Sequence, residues 1–123
     1  MHGFRLLWKE EGRGFNMEQI NDLKSRIDMN SLIKNRDSFN VSYNTKRDTL
    51  FLQMKNPPPA ISVDCDGLFW LRVNPQNGEV VGVEIEGYRK VFLKRYHELE
   101  HMRPSTTKPF VDRISRELVG CLS

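Results

Sequence analysis

The chain has 123 residues, 38% of them hydrophobic and 28% charged, with a formal net charge of +3. These values suit one globular domain with a single core. They exclude a membrane-spanning helix, because the longest apolar run is Leu68-Phe69-Trp70-Leu71 and a span needs roughly 18 apolar residues.

Two cysteines, Cys65 and Cys121, show no metal-ligand spacing and argue against a disulfide framework, so a reduced cytoplasmic setting is expected. Charge is uneven along the chain. Residues 39–87 carry four basic and six acidic side chains, whereas residues 88–123 carry eight basic and four acidic. A basic C-terminal segment admits an anionic partner, and a solvated helix face is the commoner use of such charge.

Residues 1–16 have no clean period, contain Gly12 and Gly14, and read as a loose arm. Arg5 interrupts the apolar start and no small-residue cleavage site follows, which makes a poor signal peptide, while Met17 reads as an alternative start. From 17 to 34, Ile20, Leu23, Ile27 and the Leu32/Ile33 pair recur at helical spacing. Glu18 and Asp22 lie near the favoured N-terminal end, so one amphipathic helix is expected over 17–34.

Residues 39–87 form the most patterned stretch. Short alternating runs are separated by Asn56-Pro57-Pro58-Pro59, Asp66-Gly67 and Asn74-Pro75-Gln76-Asn77-Gly78, which predicts an antiparallel β-meander with strands over 39–43, 49–54, 60–64, 68–73 and 79–85. The prolines cannot donate ladder hydrogen bonds and read as a stiff connection at a sheet edge. A three-residue loop after Asn74, with Asn77 or Gly78 left-handed, puts Trp70 opposite Gly82, Phe69 opposite Val83 and Leu71 opposite Val81. The core face is then Phe69, Leu71, Val73, Val81, Val83 and Ile85. Leu68, Trp70 and Val80 fall on the other face with Arg72 and Glu84, and form a candidate interaction surface for a partner protein or a second copy.

Asp48 and Glu84 invite reading as paired catalytic carboxylates. Asp48 is better explained as ordering its turn, and Glu84 as pairing with Arg72 or a helix lysine.

The strings Tyr43-Asn44, Asp48-Thr49-Leu50-Phe51-Leu52, Asp66-Gly67 and Asn77-Gly78-Glu79-Val80-Val81-Gly82-Val83-Glu84-Ile85 are similar in order and spacing to a small, mostly bacterial family known only as domain of unknown function number 2283. The resemblance covers residues 41–86 and departs from the family pattern at Asn44, where Asp is usual. It implies a small antiparallel domain without established catalytic residues, acting as an interaction module, antitoxin-like or homodimeric.

A helix is expected from Tyr88 to about His101, ended by Pro104. It contains His97-Glu98-Leu99-Glu100-His101, which formally satisfies the H-E-x-x-H pattern of zinc peptidases, with His97 and His101 as ligands, Glu98 as base and Glu117 as a third ligand. Helical geometry opposes that use. Tyr88, Val91, Phe92, Tyr96, Leu99 and Met102 share one apolar arc of about 140°, Arg95 intrudes on it, and both histidines face away with Lys90 and Lys94. Arg89, Lys90, Lys94 and Arg95 remain candidate anion contacts, although the aromatic residues on the buried arc cannot stack on bases. A last helix begins near Thr107-Lys108-Pro109, presents Phe110, Val111, Ile114 and Leu118, and stops near Gly120.

The expectation is therefore an α+β domain, a five-stranded antiparallel β-meander with one N-terminal and two C-terminal helices, over residues 1–123. Its function reads as non-enzymatic protein interaction with no cofactor. A small zinc-dependent hydrolase and a basic nucleic-acid-binding protein are the alternatives.

Overall fold

A computed structural model describes residues 4–5, 22–23, 25–65, 67 and 69–121. The architecture is α+β, and the antiparallel sheet contains β1 (Phe4–Arg5), β2 (Phe39–Asn44), β3 (Thr49–Met54), β4 (Ile61–Cys65), β5 (Phe69–Val73) and β6 (Val80–Glu86). The five strands from 39 to 86 appear where they were expected. Phe4–Arg5 adds an edge strand from within the segment read as a loose arm.

Strand order corrects the meander. The sheet runs β1-β4-β5-β6-β3-β2, so only β4, β5 and β6 meander, and β3 returns against β6 in a Greek-key arrangement. Strand β6 reads Val-Val-Gly-Val-Glu-Ile-Glu and is buried at five of its first six positions, as suits a central strand. Strand β2 alternates between covered and exposed residues, as suits an edge. The proline run therefore crosses the sheet end instead of skirting one edge. It links β3 to β4 across two intervening strands, a gap of roughly 14 Å at the usual strand spacing, which six residues in extended polyproline geometry bridge at about 3 Å each.

The β5–β6 register also departs from expectation. Trp70 lies opposite Glu84, Leu71 opposite Val83, Arg72 opposite Gly82 and Val73 opposite Val80, with a bulge beside Arg72 and Val73. Two slips of one residue produce this. Asn74 N–H donates to the Glu79 carbonyl at 2.9 Å, closing a longer loop than expected, and the bulge then inserts an extra residue at Val81. Two slips restore the facing of Val83 and Ile85 but exchange Val80 and Val81. Val80 is fully buried in the core cluster, whereas Val81 lies outside that cluster. Gly78 takes the left-handed φ of +76° expected at the loop.

The N-terminal helix is interrupted. Asp22, Leu23 and Ser25 are helical, then the backbone leaves the helix at Arg26 and resumes in α1 (Ser31–Lys34). Residues 17–21 of the expected helix lie outside the described residues. The break lets Asp28 pair with Glu79 beside β6, its N–H donating to the Gly78 carbonyl at 2.9 Å. Only glycine fits at 78, since a Cβ there would collide with the Arg26 carbonyl oxygen. Ser31 completes the join by donating its hydroxyl to the Asp28 carbonyl at 2.6 Å and accepting the Val80 N–H at 2.9 Å.

After Gly87 the chain winds as a wide π turn over Tyr88–Phe92 and continues into a short α2 (Leu93–Arg95). The expected helix to His101 ends there, because Tyr96 at φ −120° and ψ 71° turns the chain into a 3-10 turn, His97–Leu99. The wide turn alters the phase of the apolar arc. Val91 is 58% exposed instead of buried, while Tyr88, Phe92 and Leu99 reach the core. The last helix, α3 (Lys108–Cys121), buries Phe110, Val111, Ile114 and Leu118 as the spacing predicts, and continues through Gly120. These helical side chains join Leu50, Leu52, Leu71, Val83 and Ile85 in one cluster on a single face of the sheet. No helix among the described residues is long and apolar enough to cross a membrane.

Candidate functional site

The interaction surface expected from sequence does not assemble as drawn. Val80 points into the core, Leu68 lies outside the described residues, and Trp70 is half-buried. Strand register aligns Phe51, Glu84, Trp70 and Asp64 across β3, β6, β5 and β4 on the face away from the core cluster. Arg72, rather than Trp70, covers Gly82, and a Cβ on that glycine would meet Arg72 Cδ at 3.3 Å and the Leu52 carbonyl oxygen at 3.2 Å.

The zinc-peptidase string meets a different geometry from the helix it requires. His97 opens the 3-10 turn and His101 lies two residues past its end, so the two are not one turn apart on a continuous helix. His97 Nδ1 lies 2.7 Å from Glu100 Oε1, and both side chains are exposed. Glu98, the expected base, pairs with Arg113, and Glu117, the expected third ligand, lies 3.5 Å from Nε of the same arginine. Among the described residues no three His, Cys, Asp or Glu side chains are grouped to hold a metal ion.

Asp48 is a structural junction. It sits in the β2–β3 turn at φ +53°. Its carboxylate accepts the Tyr43 hydroxyl at 2.6 Å and the backbone N–H groups of Arg89 and Lys90 at 2.9 and 3.1 Å. The Tyr88 N–H donates to its carbonyl at 2.9 Å, so one residue fastens the hairpin to the start of the C-terminal segment. Burial works to raise the Asp48 carboxyl, but these hydrogen bonds and the Lys90 charge outweigh it and hold it below its ordinary value. Burial, then the hydrogen bond to Asp48, raises the Tyr43 phenol. Asp48 thus does more than order its own turn, and strand pairing sets Glu84 opposite Trp70 and Phe51.

The break at Tyr96 folds residues 100–104 back beside the Tyr88–Arg95 segment and creates a cleft of about 430 Å³. Arg89, Lys94 and Arg103 bring positive charge to it, and Leu93, Met102 and Pro104 supply apolar surface. Of the four expected anion contacts, Arg89 and Lys94 meet here, while Lys90 and Arg95 lie elsewhere on the exposed surface. Arg103 had no period or motif to mark it. A straight helix would have carried it about 21 Å along the axis from Arg89.

None of the three cleft cations forms an ion pair among the described residues, whereas Arg26, Arg36, Arg113 and Arg116 each face a carboxylate. Glu100 also borders the cleft, drawn towards His97. Arg89 lies over the Tyr43 ring at 5.4 Å. Tyr88 forms part of the wall, stacked on Phe92 with centroids 5.7 Å apart, and its hydroxyl finds no hydrogen-bond partner. An unmet buried donor costs about 1–3 kcal/mol. Burial pushes this phenol up to about 12, which keeps it a proton donor.

Compared with known proteins, the chain matches no family model, no curated protein and no solved structure. The likeness of residues 41–86 to domain of unknown function number 2283 rests on its motif residues alone.

Proposed function

We propose that the domain is a non-enzymatic interaction module that receives an acidic stretch of a partner protein in the cleft between the Tyr88–Arg95 segment and residues 100–104. The observation that carries this reading is the meeting of Arg89, Lys94 and Arg103, all without a carboxylate partner among the described residues, around a partly apolar hollow. Its volume lies within the roughly 300–1,000 Å³ range of ligand clefts. Charge of one sign at a concave surface focuses the field and speeds encounter with the opposite sign.

A protein partner is favoured over nucleic acid because Tyr88 and Phe92, on the segment that carries Arg89 and Lys94, are unavailable for stacking. Each is 1% exposed. Fluorescence titration of the full chain with a labelled Glu/Asp-rich peptide tests the proposal. Binding should weaken with salt and fall about tenfold or more in the double variant Lys94→Glu, Arg103→Glu. Single-stranded oligonucleotides that bind in preference to the peptide, and lose affinity in the same variant, would show the nucleic-acid alternative instead.

A further inference from the structure

We infer that the group seated in this cleft is the dianion of a phosphate monoester, held among Arg89, Lys94 and Arg103. This rests on the cleft receiving an anion and adds which anion it suits. Three positive side chains face one negative, Glu100, and that carboxylate is already drawn to His97 at 2.7 Å. Arg89, Lys94 and Arg103 against Glu100 leave a local balance of two positive charges. That matches a phosphoryl group, which carries close to two negative charges at neutral pH, better than a single carboxylate.

The donor chemistry points the same way. Two guanidinium groups and one ammonium offer more N–H donors than the two oxygens of a carboxylate can absorb, whereas a phosphoryl group presents three terminal oxygens. The Tyr88 ring backs the same wall, 1% exposed, so the cations alone supply the donors. Leu93, Met102 and Pro104 line the remainder, and the 430 Å³ volume exceeds what a bare phosphate fills. An organic body attached to the phosphate accounts for that apolar share.

The phosphate monoester has two possible carriers, a phosphorylated side chain of a partner or a small free molecule, and one titration separates them. Amide chemical shifts of the full chain are followed with phenyl phosphate, inorganic phosphate, benzoate and a phosphotyrosine peptide. Phenyl phosphate should move the amides of Arg89, Lys94 and Arg103, and bind about tenfold tighter than benzoate or inorganic phosphate. Arg103→Gln and Lys94→Gln should each lose about tenfold in phenyl phosphate affinity. Arg116→Gln, which removes a cation already paired with Asp112, should change nothing.

A phosphopeptide much tighter than phenyl phosphate supports the inference with a modified partner as carrier; equal affinities support it with a small molecule. Benzoate and a Glu-rich peptide matching phenyl phosphate would overturn the phosphoryl inference while leaving the acidic contact intact. Unchanged affinity in both Arg103→Gln and Lys94→Gln would overturn it as well. If no anion moves these amides, the inference and the proposed function both fail.

Discussion

Ser31 accepts the backbone N–H of Val80, 49 residues away, at 2.9 Å through a hydroxyl that is itself fully buried. The bond ties α1 to the first residue of β6, close to where the bulge begins. Ser31→Ala should therefore strand a buried N–H and cost about 1–3 kcal/mol. Urea denaturation measures that loss, and faster hydrogen exchange at the Val80 amide would locate it.

Gly82 reports on the register. A methyl there meets Arg72 Cδ at 3.3 Å and the Leu52 carbonyl oxygen at 3.2 Å, so Gly82→Ala should destabilise by about 1–2 kcal/mol. Adding Arg72→Ala should return part of that loss, with a coupling of about 0.5–1 kcal/mol, because the two residues are direct cross-strand neighbours. Trp70→Ala should show no comparable coupling. A double-mutant cycle that links Gly82 to Trp70 instead would contradict the observed pairing.

Asp48 gives the fold an acid dependence of definite sign. Its carboxyl is held below the ordinary 3.8, so its stabilising contribution is complete above that value and is lost as pH falls through the lower, folded pKa. Asp48→Asn keeps a residue that tolerates the φ of +53° but weakens acceptance of the Tyr43, Arg89 and Lys90 donors. It should cost about 1–3 kcal/mol near pH 7 and flatten this part of the acid limb in denaturation curves recorded below pH 4.

Tyr88→Phe tests the unpartnered hydroxyl. Removing a hydroxyl that has no partner should leave stability unchanged or raise it by about 1 kcal/mol, while both ring contacts persist. A clear loss in melting temperature would show that the hydroxyl is bonded in solution.

Much of the fold was legible because burial imposes period. The runs from Phe39, Thr49, Ile61, Phe69 and Val80 all became strands, and the 108–121 helix buried the four apolar residues that its spacing selected. Strand order was written more faintly. The strict alternation of Phe-Asn-Val-Ser-Tyr-Asn marks β2 as an edge, and the near-continuous Val-Val-Gly-Val run marks β6 as central.

What stayed hidden depended on single residues and on tertiary contacts. One extra loop residue and one bulged residue turned Val80 inward, and no period distinguishes such slips. The cleft was hidden for a related reason. Tyr96 leaves the helix, Leu99 is fully buried in the turn that follows, and that turn brings Arg103 near Arg89.

The place of β6 between β3 and β5 also sets an order of events for a chain emerging from the ribosome. The β2–β3 and β4–β5 hairpins are synthesised first, yet they share no ladder until residues 80–86 arrive to join them. Until then the inner edges of β3 and β5 both lack neighbours, the exposure that promotes association between nascent chains. A chain that stalls before Val80 therefore leaves two separate ribbons with open edges, and completion of one strand closes both.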